Sequence, residues 1–239
     1  EAVAVDPKTD IVYLTEDRQD GCLYRYLPND PNRLLEGGLL QALCLDGCGS
    51  ADTRDWDSTM PLQRGAPAGV HWIDLEDVDS ADDSLRYQAF KKGAARFARA
   101  EGCWMGKDEV WFACTTGGRT RHGQLMRYRP SRFEGTAGEA AHPGRLELFL
   151  QPDDPSILEN ADNITMAPWG DLIVCEDGKA LDHLLGITQG GAVYRLARNV
   201  GSSTEFAGAC FSPDGTTLFV NLQTPGTTVA ITGPWQATG

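Results

Sequence analysis

The stretch "GCLYRYLP" (Gly21–Pro28) returns as "GQLMRYRP" (Gly123–Pro130), as "GAVYRLAR" (Gly191–Arg198) and, in a divergent form, as "GTTVAITG" (Gly226–Gly233). An apolar run precedes each: "IVYLTED" (Ile11–Asp17), "EVWFACT" (Glu109–Thr115), "DLIVCED" (Asp171–Asp177) and "TLFVNLQ" (Thr217–Gln223). Before those stand "EAVAVDP" (Glu1–Pro7), "EGCWM" (Glu101–Met105), "DNITMAP" (Asp162–Pro168) and "EFAGACFSP" (Glu205–Pro213). The joints "DPKTD", "APWGD" and "SPDGT" combine Pro, Gly and Asp between apolar runs, which is turn chemistry. "GLLQALCL" (Gly38–Leu45) and "RLELFLQP" (Arg145–Pro152) supply fourth strands for two of the units. Three or four antiparallel strands per unit, repeated along the chain, predict an all-β fold, a β-propeller with about four blades visible.

In this reading an acid opens every unit, and the intervals from Glu1, Glu101, Asp162 and Glu205 to the following glycine are 20, 22, 29 and 21 residues. The first strand of a propeller blade lines the central channel, so the four acids are expected to converge on one mouth of it. The chain opens on an innermost strand, and exposed blade edges invite pairing. The expectation is therefore one partial propeller domain over residues 1–239, either the C-terminal portion of a longer propeller or completed by another chain.

Residues 46–100 interrupt the repeat as an inserted loop and helix. Asp46–Pro67 is rich in Gly, Asp, Ser and Pro and reads as loop, and Gly69–Asp79 as an extended segment over the blades. "SADDSLRYQAFKKGAARFARAEG" (Ser80–Gly102) reads as helix, capped by Ser80 or Asp82, with Leu85, Ala89, Phe90, Ala94 and Phe97 on one side. Such a helix would end at Glu101 and deliver Arg99 to the channel mouth, where a guanidinium suits phosphate.

Composition narrows the function. With 41% hydrophobic and 23% charged residues the chain is globular in type. A net charge of −13 without a run of Lys or Arg excludes a nucleic-acid backbone as partner. No apolar run reaches the roughly 20 residues of a membrane span. The acidic surplus fits a solvated surface or carboxylates gathered for divalent cations. Of seven cysteines, Cys103, Cys114, Cys175 and Cys210 sit where small buried residues belong, while Cys44 and Cys48 flank a loop and either pair or stay free. Zinc-type spacing, a nucleophile elbow, a P-loop and H-E-x-x-H are absent. His122, beside Arg121, reads as a hairpin residue that is solvated or faces the channel.

The stretches "EAVAVDPKTDIVYLTED", "GAARFARAEGCWMGKDEVWFACTTGG", "ENADNITMAPWGDLIVCEDG" and "EFAGACFSPDGTTLFVNLQTPGTTVAITGPW" resemble the PhoX-type alkaline phosphatases. The R-x-E-G run Arg99–Gly102 and the last stretch are the most specific parts. The resemblance implies a six-bladed propeller whose channel mouth holds calcium and iron and hydrolyses small phosphomonoesters, at an extracytoplasmic location. It implies that Glu1, Glu101 and Asp162 are calcium ligands and that Arg99 contacts the substrate phosphate. Repeat geometry adds Asn163, Glu176 and Glu205 as further metal ligands. The family's iron ligands, a cysteine thiolate included, lie upstream of the region matching Glu1, and no cysteine here matches that position. Two alternatives remain beside the phosphomonoesterase: a non-catalytic propeller serving as scaffold or subunit, and a lactonase-like hydrolase using one calcium. On the channel reading, Glu101→Gln weakens calcium binding whereas Glu139→Gln, in a predicted loop, does not.

Overall fold

Short apolar runs punctuated by turns fold into successive hairpins, and a computed structural model describes them for residues 1–239 apart from 58, 180, 181, 202 and 236–239. The first unit is the antiparallel meander β1 (Val3–Val5), β2 (Val12–Leu14), β3 (Tyr24–Pro28) and β4 (Gly38–Leu45). The insertion contributes β5 (Ala68–Asp74) and the helix α1 (Leu85–Lys91). The second unit is β6 (Ala100–Met105), β7 (Val110–Cys114), β8 (Gln124–Arg129) and β9 (Arg145–Leu150). The third is β10 (Ala161–Met166), β11 (Leu172–Glu176), β12 (His183–Ile187) and β13 (Val193–Arg198). The fourth is β14 (Phe206–Phe211), β15 (Thr217–Leu222) and β16 (Thr227–Thr232). The first strands β1, β6, β10 and β14 stand side by side as the innermost layer, as a propeller requires.

The units pack face to face through the period of the strand. In β7, Phe112 joins Tyr13, Leu43, Phe97 and Tyr128 between the first two units, while neighbouring Trp111 joins Leu125, Ile164 and Leu172 between the second and third. Ile173 and Cys175 in turn pack with Phe206, Leu218 and Val220 of the fourth. Every residue of β7 and β11 is buried, because a middle strand is covered on both faces.

Four expectations change here. "GAVYRLAR" forms β13, the fourth strand of its unit, while "HLLGI" is the third; the extra strand and its turn account for the excess of the 29-residue interval over the others. The segment at Gly69–Asp79 does not lie over the blades: β5 pairs with β4 (Leu45↔Val70 to Gln41↔Asp74) and with β9 (Ala68↔Leu146), covering two outer edges at once. The helix spans only Leu85–Lys91, with Ser84 at its N-cap position, and Gly93 at φ 111° turns the chain out of it. Beyond it, the amides of Ala95, Arg96 and Phe97 donate to the carbonyls of Leu43, Ala51 and Gly21, so tertiary pairing overrides helix propensity. Arg99 is thus delivered by extended chain. Finally, Cys103, Cys114 and Cys175 are buried as expected but Cys210 is exposed, and Cys44 and Cys48 are both free thiols.

Candidate metal centre at the channel mouth

Two irregularities in the innermost strands bring acids together. The β6–β7 ladder breaks between Ala100 and Cys103, and the β10–β11 ladder between Ala161 and Ile164. Such bulges re-aim side chains, and Glu101 and Asp162 occupy the re-aimed positions. At Gly102 the two strands approach so closely that a Cβ would meet the Asp162 carbonyl oxygen at 2.4 Å and the Ile164 nitrogen at 2.8 Å. Only glycine allows this, which is the physical content of the glycine in Arg99–Gly102. Thr15 and Thr115, at corresponding ends of second strands, brace the arrangement by donating to the carbonyls of Glu101 (2.5 Å) and Ala161 (2.8 Å).

Carboxylate oxygens of Asp162, Asp177 and Glu205 lie within 4.8 Å of one another. Glu101 stands beside Asp162, and each carboxyl bears on the protonation of the other. Glu101 Oε1 is 2.6 Å from Nη2 of Arg99 but is not aligned as a hydrogen bond, so this buried oxygen has no hydrogen-bond partner. Arg99 donates instead to Asp17, from Nε to Oδ1 at 2.8 Å and from Nη2 to Oδ2 at 3.3 Å. Its backbone is held in the left-handed region, φ 51°, by donating its N–H to Arg18 O (2.8 Å) and by accepting from Thr115 N (2.9 Å). Burial and then Asp162 push the Glu101 carboxyl up to about 9. Burial and then Asp177 push Glu205 up to about 7, and burial raises Asp162. The cluster holds more negative charge than its surroundings neutralise, which is the electrostatic state of a site built for cations.

Of the predicted site residues, Arg99, Glu101, Asp162 and Glu205 meet at this mouth. Glu1 is exposed and lines an adjoining groove with Thr15, Glu16 and Asp17; its ammonium donates to Thr15 O at 2.9 Å, and its carboxylate is outside the cluster. Asn163 is engaged elsewhere: its Oδ1 accepts from Ala209 N at 3.0 Å and latches β10 to β14. Glu176 turns away from the mouth, accepting from Glu159 N at 2.8 Å and His183 N at 3.1 Å, with His183 Nδ1 3.0 Å off. Its neighbour Asp177 faces the cluster, because consecutive residues leaving a strand point to opposite sides. Glu205 does not occupy the register position of Glu101 and Asp162. Those follow directly on the pairs Ala100↔Cys114 and Ala161↔Glu176, whereas in the fourth unit the pair is Ala207↔Asn221 and Gly208 follows it. The shared position is therefore acidic in two units, and Glu205 reaches the cluster from an earlier one.

Sequence reasoning missed Asp17 and Asp177, although both second-strand runs, "IVYLTED" and "DLIVCED", end in Glu-Asp. It also missed Asn160, at φ 53°, which ties the rim together. Its Nδ2 donates to Thr115 O (2.7 Å) and Arg121 O (2.9 Å), its amide to His122 O (2.8 Å), and its carbonyl accepts from Asp177 N (2.9 Å). Among the described residues no cysteine or histidine belongs to the carboxylate group. The thiol of Cys103 on β6 is pushed by burial up to about 12, and that of Cys175 on β11 is raised further, so both stay protonated.

Comparison with known proteins bears on the fold and the family. The chain superposes on Pseudomonas fluorescens PhoX, solved with vanadate as a transition-state analogue, with a TM-score of 0.71 at 19% identity over 96% of its own length and 52% of that protein's. It thus spans about half the length of that relative, and the likeness speaks for the propeller fold. A protein of Bacteroides uniformis, described provisionally as a 6-phosphogluconolactonase, matches at a TM-score of 0.43 and 9% identity over 98% of this chain and 68% of its own, too low to carry an argument. No curated protein matches. The family described as "Alkaline phosphatase PhoX" matches residues 1–226, and with that extent of agreement the chain belongs to the PhoX family.

Proposed function

We propose that the channel mouth is the calcium-binding part of a phosphomonoesterase site, in which Asp162, Asp177 and Glu205, with Glu101 beside them, hold calcium and Arg99 binds the phosphate of the substrate. The observation that carries this is the gathering of Asp162, Asp177 and Glu205 from two units, with Glu101 of a third holding a buried oxygen without a hydrogen-bond donor next to Arg99. The donors fit the ion: calcium takes six to eight oxygens at flexible angles, and a set made only of carboxylates leaves room for water and phosphate oxygens. They do not fit iron held by thiolate or imidazole, since no such donor joins the group among the described residues, and no step is assigned to it here.

Calcium bound there would polarise a phosphoryl oxygen and neutralise charge. This chain's residues prepare that encounter. Asp17 engages Nε and Nη2 of Arg99, which fixes the plane of the guanidinium and leaves Nη1 to donate to a phosphate oxygen. The left-handed backbone at Arg99 keeps the side chain beside Glu101 instead of following the strand. Calorimetric titration of the 239-residue chain with calcium tests the reading. Asp162→Asn is expected to weaken binding at least tenfold and Glu76→Gln, whose side chain is 87% exposed, to leave it unchanged. Equal titrations of both variants would overturn it. Phosphatase activity itself is to be assayed on the full-length protein.

A further inference from the structure

Beside the carboxylate cluster, the structure holds a cation that the site described above does not use. The loop after β7, "TTGGRTRHGQ" (Thr115–Gln124), carries Arg119, Arg121 and His122. Arg121 sits at φ 58°, in the left-handed region, and its guanidinium carbon lies over the Trp56 ring, 4.3 Å from the centroid. Arg54 packs on the same indole at 4.2 Å, and the indole is fixed by donating from Nε1 to Thr116 O at 2.8 Å. The neighbouring arginines are matched by acids: Arg54 with Asp52 at 2.7 Å and Arg119 with Asp55 at 3.5 Å. Arg121 has no carboxylate partner among the described residues. Asn160 places its backbone, because the Asn160 side-chain amide donates to Arg121 O and Thr115 O while the Asn160 main-chain carbonyl accepts from Asp177 N. Arg121 O and Asp177 N are therefore bound to the same residue, Asn160, whose side chain also reaches Thr115, the residue that donates its amide to Arg99 O.

A left-handed non-glycine residue is costly unless its surroundings impose it, and here they hold an exposed guanidinium over an indole near the proposed phosphate site. Stacking orders the side chain but uses none of its five donors, which remain for a planar oxyanion. We infer that Arg121 on Trp56 is a second anion-recognition point. It reads a carboxylate or second phosphate on the leaving-group side of the ester, so that the substrates taken are phosphomonoesters carrying another negative group. This rests on the proposed reading of the mouth as a phosphate site.

The probes are two uncleavable phosphonates, methylphosphonate and phosphonoacetate, which differ by one carboxylate and are titrated calorimetrically into the calcium-loaded chain. The expected result is that phosphonoacetate binds about 10-fold more tightly, the increment of one charge-assisted pair at a rim. In Arg121→Gln the ratio falls to near one. In Arg119→Gln, which removes the same charge from the same loop, it stays near the wild-type value. Thermal unfolding of each variant checks that the fold is kept. A ratio near one in the wild-type chain, or an equal drop in both variants, overturns the inference while methylphosphonate binding upholds the phosphate site. Failure of both phosphonates to bind overturns the reading of the mouth and this inference with it.

Discussion

The molecule gathers charged groups out of water in two places, with opposite outcomes. Between the first two units, the Arg25 guanidinium, only 2% exposed as a residue, donates to Glu134 (2.7 Å), to both oxygens of Glu139 (2.6 and 2.8 Å) and to Gln41 (2.7 Å). Glu134 also accepts from Tyr13 (3.2 Å), Tyr128 (2.7 Å) and Ser131 N (2.7 Å). Every group there is answered by another, and the set pins the loop after β8 to the first unit. At the channel mouth Asp17, Glu101, Asp162, Asp177 and Glu205 share Arg99, one buried oxygen has no donor, and carboxyl groups are pushed up to about 7 and about 9. A closed network belongs to stability. An open, one-signed cluster costs stability unless something cationic completes it.

The comparison can be broken most sharply in the closed network. Glu134→Ala leaves buried Arg25 with one carboxylate instead of two and takes the shared acceptor from Tyr13, Tyr128 and Ser131 N, and a loss of about 3–5 kcal/mol is expected in urea unfolding. Glu139, which reads as a loop residue in the sequence, lies in a short 3-10 turn and clamps Arg25, so Glu139→Gln also lowers stability while leaving calcium titration alone. At the mouth the sign reverses. Asp162→Asn should raise the melting temperature of the chelator-treated chain, by about 1 kcal/mol of relieved repulsion, and forfeit at least ~1.4 kcal/mol of calcium stabilisation, a tenfold loss of affinity.

Burial raises Glu134 in the closed network as well, but the shifts at the mouth carry a pH dependence that a cation can remove. Glu205 and Glu101 have folded values, about 7 and about 9, above the carboxyl range of an unfolded chain. Their protonated forms favour the fold, so the stability these two groups contribute to the metal-free chain is full below about pH 4.5 and declines as pH rises through 7 to 9. Calcium should abolish that decline, and thermal melts at pH 5, 7 and 9 with and without the ion will show whether it does. A smaller effect, about 1 kcal/mol, is expected for Asn163→Ala, which loses the bond to Ala209 N but no proposed ligand. Glu76→Gln, on the surface, should stay within about 0.5 kcal/mol.

What the sequence determined by itself is the local order of the chain. Apolar runs with period two and Pro-Gly-Asp joints decide between helix and strand within a few residues, so β1 to β4, β6 to β11 and β13 to β16 were legible as strands, as was the meeting of Arg99, Glu101 and Asp162 at one place. The tertiary structure decided what depends on groups distant in the chain. Phe97 leaves the predicted helix because Gly21 takes its amide, and β5 becomes a strand because β4 and β9 offer edges. Asp177 rather than Glu176 faces the mouth because the strand end sends neighbours to opposite sides, and Glu205 joins from outside the shared register. Repeat spacing locates a strand, but a bulge or a single residue of register decides where its side chains point, and that is set by the strands packed against it.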